Sequence, residues 1–419
     1  MGGCPAIGIP TAIQDASAIL LSQCILRKIP SIRPAFHEGS DCTVRRETRI
    51  AIIGAGLGGA TAAALLQREG FRARVYEQAR SFERIGAGIH VSANVMKVLC
   101  HMDADHRLSQ IGIHPDAFTS RKWDTGEVLF ELPLGNIGEQ KYGASYVTVH
   151  RYDLHAAILE KVQPGTIEFG RRLTNVEFDG SVVHLRFGDG SVVDADVVIG
   201  ADGVNSKVRE AVVGPSASRF TGAVAHRAIY PSKLLGGMKV RNCTKWWGPS
   251  SHILIYYIER SREEIYLVTS ARGDWHSRTS WEFCSREEVA SAFEGFHAEV
   301  RKVIETAPEL TKWPILDIEP IDKWSKGRLV LLGDACHAMM PYMASGAAMA
   351  IEDAAVLARC LLQSDDYTSA FALYQTSRMP RVTKVHRISA ENTFLRSPTD
   401  PTWVFGYDAI SVPLGLQQP

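Results

Sequence analysis

Gly54, Gly56 and Gly59 fall in a Gly-x-Gly-x-x-Gly pattern, directly after the apolar run Arg49–Ile53 and before an Ala/Leu-rich stretch, Ala60–Arg68. Each glycine has a separate use: Gly54 for a tight turn, Gly56 for approach of a pyrophosphate to the backbone, Gly59 for close packing of helix on strand. Gly58 lies inside the same turn. The helix that follows would point its free N–H groups at the phosphates. Arg72–Val75 reads as the next strand, with Glu77 and Gln78 at its end. Glu77 stands 18 residues past Gly59, where a carboxylate can accept from ribose hydroxyls. A glycine turn alone is weak evidence. With strand, helix and acid in series the segment predicts dinucleotide binding, and the acid favours FAD or NAD over NADP.

Two later segments repeat the theme of a carboxylate after a buried strand. An apolar run from Val197 leads into Asp202-Gly203, with a helix beginning near Ser206. Another leads from Gly327 into Gly333-Asp334, and Met343–Ala350 then opens a helix of small residues that includes Gly346, Ala347 and Ala348. A carboxylate at a strand end can bind a ribitol hydroxyl. N–H groups at a small-residue helix start can approach a flat ring and stabilise negative charge on a reduced flavin. Either segment alone is also compatible with a plain α/β turn.

A further set of residues could handle protons. Ser251–Ile258 reads as a strand, so His252 and Tyr256 share one face, with Ile253, Ile255 and Tyr257 on the other. By themselves they make a hydrogen-bonded structural pair as readily as a functional one. His90 follows Gly88 in a loop and alone carries little functional weight. Cys243 alone reads as a small buried hydrophobe. Trp246-Trp247 reads as core or pocket wall, His226 and Arg227 as a carboxylate anchor or a solvated strand edge, and His337 as structural support for the Gly-Asp turn.

The whole chain bounds what surrounds these residues. It has 419 residues, 45% hydrophobic and 22% charged, ordinary for a globular protein of two to three domains. Lys+Arg and Asp+Glu both count 46, which argues against a nucleic-acid partner. The eight cysteines are scattered without a Cys-x-x-Cys pair, so neither a disulfide scaffold nor a metal site is expected, and a cytoplasmic, reducing location is the default. No apolar run reaches the length of a membrane span. Residues 1–47 show no sustained period and read as a poorly packed extension, with a mitochondrial-type presequence as the alternative.

Taken together, the early glycine fingerprint, the middle Asp-Gly and the late Gly-Asp resemble the flavin-dependent aromatic hydroxylases with a single flavin domain, over about residues 48–408. The resemblance implies FAD as resident cofactor, NADH or NADPH as reductant, O2 as oxidant and a small aromatic acid as substrate. It leaves the oligomeric state open. The implied fold class is α/β, a discontinuous Rossmann-like FAD-binding domain with a sheet-rich substrate domain. We expect the first flavin-binding part at 48–215 with substrate-domain insertions, the substrate domain at 216–314 ending in a helix Arg286–Thr306, the second flavin-binding part at 315–385, and a tail, 386–419, packed on the body.

Carried over by position, Asp334 would hold the ribitol, Gly346–Ala348 would lie against the flavin pyrimidine, Arg151 would contact the flavin nucleotide, and Asp202-Gly203 would lie near the pyrophosphate. A narrower likeness, to a hydroxylase of a hydroxypyridine carboxylic acid, rests on Gly86–Lys97, Val224–Ala228, Lys245–Trp247, His252 with Tyr256, Leu310–Pro314 and Asp400–Asp408. It implies His90 beside the flavin, His252 and Tyr256 facing substrate as a base relay, and Cys243 in the pocket. Ala338 and Ser345 depart from the residues usual at their positions. The implied reaction is decarboxylative hydroxylation. A salicylate-type or other phenolic-acid hydroxylase is the nearest alternative, and a flavin-binding protein without hydroxylase activity the non-enzyme one.

Overall fold

The computed structural model describes residues 47–84, 87–277 and 279–415. The expected extension at 1–47 lies outside the described residues except for Glu47, and so does Gly86. No helix among the described residues is long and apolar enough to cross a membrane.

The fold is α/β, with a Rossmann-like sheet, parallel but for the edge strand Ser325–Lys326, and a second, larger sheet. Arg49–Ile53 is buried on both faces after its first residue, the mark of a strand covered from two sides. It lies inside a six-stranded sheet and pairs in parallel with Arg72–Glu77 and with Val197–Gly200. Leu329–Leu331 continues the sheet beyond Val197–Gly200, and Ile167–Phe169 continues it beyond Arg72–Glu77. In this register Ile53, Gly200 and Leu331 are lateral neighbours. The turns that follow them, at Gly54, Ala201 and Gly333, therefore emerge along one edge, where open parallel sheets bind their ligands.

The fingerprint helix runs Leu57–Arg68 and packs against the strand that precedes it and the small-residue helix Gly346–Gln363. Gly54 has φ +96°, and a Cβ there would lie 2.4 Å from the Ala201 carbonyl oxygen. A Cβ on Gly59 would lie 2.0 Å from the Gly54 carbonyl oxygen. Both positions therefore exclude any other residue by contact.

The second sheet has eight strands, in the order Glu282–Cys284, Leu310–Asp317, Arg219–Pro231, Glu264–Arg272, His252–Tyr257, Thr244–Trp247, Ala117–Lys122 and Val128–Pro133. The last two come from inside the first flavin-binding stretch and join the sheet by a parallel pairing with Thr244–Trp247. Strand His252–Tyr257 alternates as its sequence predicts. Ile253, Ile255 and Tyr257 enter a core with Val289, Val300 and Ile304, while His252, Leu254 and Tyr256 face away from it.

The helix expected over Arg286–Thr306 is two helices, Arg286–Ala292 and Ala298–Thr306. Gly295, at φ +77°, breaks the run. Val289, Phe293, Phe296, Val300 and Val303 all point into one core at spacings of three and four, so the break is invisible to periodicity.

The tail is fastened through charge. Arg378, on the long helix Tyr367–Glu391, is fully buried and donates to Glu352 and Asp353 of the small-residue helix, each at 2.7 Å. Arg381 donates to Glu352 and also to the carbonyls of Trp403 (2.7 Å) and Val404 (3.0 Å). Asp400–Asp408 is thereby tied to the helix whose start borders the cavity described next.

Candidate active site

A cavity of about 480 Å³ lies between the turns at the parallel-sheet edge and the face of the eight-stranded sheet that carries His252 and Tyr256. Gly56, Gly58, Gly59, Gly203, Asp334, Gly346, Ala347 and Arg151 border it from the flavin-domain side. A second groove, of about 510 Å³, lies at the opposite strand ends between Arg49, Gln67 and Arg72, and none of the expected site residues borders it.

The first cavity suits a flavin nucleotide. A Cβ at Gly56 would meet nothing within 4 Å, so the backbone there is open to a ligand. Neither the helix starting at Leu57 nor that starting at Gly346 has a side-chain cap or an acid in its first turn, which leaves N–H donors free for anionic or electron-rich groups. Asp334 is exposed on the cavity wall and free to accept from hydroxyls. The Arg151 backbone N–H donates to the Ala87 carbonyl at 2.8 Å, which fixes where that side chain leaves its helix.

Other expected cofactor residues have structural duties. Glu77 accepts from the Ala55 N–H and the Ala79 N–H, both at 2.8 Å, and so holds the fingerprint turn against the second strand. Its remaining lone pairs are available to a ribose. Asp202 accepts from the Ser206 hydroxyl and from the Lys207 N–H at 2.7 Å, capping the helix Lys207–Val213. Gly203, not the Asp202 side chain, borders the cavity. Gln78 is exposed, and Ala348 is buried behind Gly346 and Ala347. His337 binds Asp353 at 2.6 Å, and Asp353 also accepts from the Gly333 N–H, so the histidine supports the Gly-Asp turn through a carboxylate.

On the substrate-domain side, His90 lies in a strand, Gly88–Val91, rather than a loop. That strand pairs with Val147–His150, and the His90 Nδ1 lies 2.6 Å from the Tyr146 hydroxyl. The Tyr256 ring meets the His90 ring edge to face at 4.4 Å between centroids. Cys243, with a left-handed backbone (φ +59°), places its Sγ 3.8 Å from His90 Nδ1 and sits behind the histidine rather than on the wall. Burial pushes the Cys243 thiol and the Tyr256 phenol up, so both stay protonated.

His252 and Tyr256 share the cavity face, but no hydrogen bond joins them. Four residues along a strand span about 13 Å, so the pair can touch opposite parts of one ring and cannot form a direct relay. His252 instead heads a chain to Lys245. Lys245 Nζ donates to Asn392 Oδ1 (3.5 Å), and Asn392 Nδ2 donates to His252 Nδ1 (3.3 Å). The Asn392 amide nitrogen can only donate, so neutral His252 accepts at Nδ1 and carries its hydrogen on Nε2. Burial, with Lys245 as a lesser cause, lowers His90 to about 3 and His252 well below its usual value. Both imidazoles are neutral at neutral pH, and resting His252 is a hydrogen-bond donor.

Lys245, Tyr146, Asn392 and Tyr342 were not singled out from the sequence. For Lys245 the signal was present, since alternation along Thr244–Trp247 puts Lys245 and Trp247 on the face of His252. Asn392 and Tyr342 come from a helix end and a turn whose approach to the sheet no local pattern encodes.

Residues 47–389 match the FAD binding domain family. The chain is 49% identical over 371 residues to 6-hydroxynicotinate 3-monooxygenase of Pseudomonas fluorescens, covering 87% of this chain and 96% of that protein. It is 36% identical over 346 residues to 3-amino-4-hydroxybenzoate 2-monooxygenase of Streptomyces cremeus, covering 82% and 86%. Among solved structures, Klebsiella pneumoniae HpxO complexed with FAD and uric acid aligns with a TM-score of 0.74 at 25% identity, covering 85% of this chain and 90% of that one.

Proposed function

The chain belongs to the FAD binding domain family and is an FAD-dependent aromatic monooxygenase, and from that premise we propose that it converts 6-hydroxynicotinate to 2,5-dihydroxypyridine with loss of CO2. The observation that carries the reading is the cavity itself. It opens the fingerprint turn, Asp334 and Gly346 to the same space as His252 and Tyr256. The likeness to 6-hydroxynicotinate 3-monooxygenase of Pseudomonas fluorescens selects the substrate.

In this reading Gly56, Gly346, Ala347, Asp334 and Arg151 hold FAD, with Glu77 shaping the turn. Bound FAD, once reduced by NAD(P)H, supplies oxygen in an electrophilic form. The protein's task is to make the substrate ring a nucleophile and to hold it still. The ring oxygen of 6-hydroxynicotinate lies para to the carbon bearing the carboxylate, so loss of its proton to solvent as the acid binds raises electron density at that carbon. One of the two donors, the Nε2–H of His252 or the Tyr256 hydroxyl, would hold the oxide, and the other would meet the opposite side of the ring. His90, braced by Tyr146 and Cys243, would fix the Tyr256 ring. Hydroxylation at the carboxylate-bearing carbon interrupts aromaticity, and breaking the bond to the carboxylate restores it as CO2 leaves.

The test is turnover of 6-hydroxynicotinate labelled in its carboxyl carbon. Label released as CO2, with an unlabelled dihydroxypyridine, is the expected result. Label kept in a hydroxylated acid, or brisk turnover of salicylate with none of 6-hydroxynicotinate, would refute the proposal.

A further inference from the structure

We propose that Lys245 is the anion-binding residue of the substrate cavity, pairing through its ammonium with an anionic oxygen of the aromatic acid; this rests on the reading of the cavity as a substrate site. Lys245 lies opposite Leu254, midway between His252 and Tyr256 on the neighbouring strand, and all four side chains border the cavity. It is 4% exposed. Its neighbours are neutral: the Tyr342 carbonyl at 3.4 Å, Asn392 Oδ1 at 3.5 Å and the Trp247 ring at 3.7 Å from its centroid. Among the described residues no carboxylate lies within 4 Å of it.

A buried cation without a counter-ion is costly. Two long hydrogen bonds and one ring face leave an ammonium, with its three donors, short of partners. Two other cations border the cavity: Arg227 lies over the Trp313 ring at 4.6 Å with its Nε buried and unpartnered, and Arg151 is exposed. Burial alone brings the Lys245 amine down to about 7, so an arriving anion would restore the charge that the empty cavity disfavours. The same pairing would offset the lesser of the two causes that depress His252, burial being the larger.

The anionic oxygen is either the carboxylate or the ring oxide, and two probes separate them. Nicotinate carries only the carboxylate, and 2-hydroxypyridine only the ring oxygen. The holoenzyme is titrated with each probe and with 6-hydroxynicotinate, following the flavin absorbance, in wild type, Lys245→Met and Asn392→Asp. Lys245→Met removes the charge and keeps the chain length. Asn392→Asp supplies an internal carboxylate beside Nζ at a left-handed position that Asp tolerates. Both variants are expected to bind 6-hydroxynicotinate about tenfold to a hundredfold more weakly, the loss of one charge-assisted bond, with unchanged FAD content.

Loss confined to nicotinate assigns the carboxylate, and loss confined to 2-hydroxypyridine assigns the ring oxide; either supports the proposal. Should Lys245→Met fail to fold, Asn392→Asp carries the test. If 6-hydroxynicotinate fails to bind wild type while 3-hydroxybenzoate binds and weakens in the variants, Lys245 keeps its role and the proposed substrate falls. Equal affinity of wild type and variants for every probe overturns the proposal, as does absence of any aromatic anion binding in wild type.

Discussion

Glu77 accepts a hydrogen bond from the Ala55 N–H at 2.8 Å, so the acid that closes the second strand also clamps the turn that closes the first. Asp334 has no such duty; its carboxylate stands exposed on the cavity wall. The two acids should therefore fail differently. Glu77→Ala should lower FAD occupancy and also the thermal stability of the apoprotein. Asp334→Ala should lower occupancy with apoprotein stability unchanged. Each loses charge-assisted bonds of about 1.5–3 kcal/mol. Visible absorbance per protein and apoprotein melting separate the cases, and full FAD occupancy in both variants would remove these residues from the cofactor site.

Tyr256→Phe and His252→Ala should slow ring hydroxylation more than flavin reduction. Their donors act on the ring, so hydride delivery from NAD(P)H should survive and hydrogen peroxide release should rise. Rapid-reaction measurement of reduction, alongside product per NADH consumed, checks this. Slowed reduction with normal coupling would place the pair elsewhere in the cycle.

Where Lys245 holds the carboxylate, binding of nicotinate should weaken as pH rises above about 7. Lys245 is lowered to about 7 by burial. His252 is held neutral there and Tyr342 protonated, and Asn392 and Trp247 do not titrate, so no other group facing Lys245 changes charge between pH 7 and 9. Above that value the free protein has lost the proton that the bound state keeps. Affinity should fall by up to about tenfold per pH unit until the bound-state value is reached, and Lys245→Met should abolish the slope.

Stability should fall as pH drops below about 6.5. Burial lowers His90 to about 3 and both His150 and His226 to about 4. Between those values and the ordinary histidine value the unfolded chain binds more protons than the folded one, so stability is full above that window and is lost as pH falls through it. Denaturant midpoints from pH 8 to 5 should show the loss, and His90→Asn should reduce it.

Arg378→Met should destabilise by about 3–5 kcal/mol, because it removes the fully buried cation that Glu352 and Asp353 share. Thermal or urea unfolding measures this. A loss below about 1 kcal/mol would mean that Arg381 and His337 suffice.

Much of the nucleotide side was legible because it is local. Gly54 through Gly59 is one turn and the start of the helix that follows it, and the strand, helix and acid lie in sequence order. Asp202 shows the limit of position-by-position reading, since its segment borders the cavity but its carboxylate caps its own helix. The face of His252 and Tyr256 followed from alternation, whereas their separation came from strand rise and ruled out the direct relay. His90 reads as a loop residue in the sequence because its strand is four residues long and gains its partner from residues 147–150. The chain from Lys245 through Asn392 to His252 joins positions 147 residues apart, and nothing in the local pattern of either end announces the other.

Along His252–Tyr257, even positions meet the substrate cavity and odd positions fill the hydrophobic core. Recognition and stability are thereby written on alternate letters of one short word. Substitutions at 252, 254 and 256 can be randomised together, as a library or by drift, to explore new aromatic acids while 253, 255 and 257 hold the sheet to its helices. A single-residue deletion in the same stretch would exchange the two alphabets and destroy both. Descendants of this chain should therefore diversify here by replacement and never by changes in length.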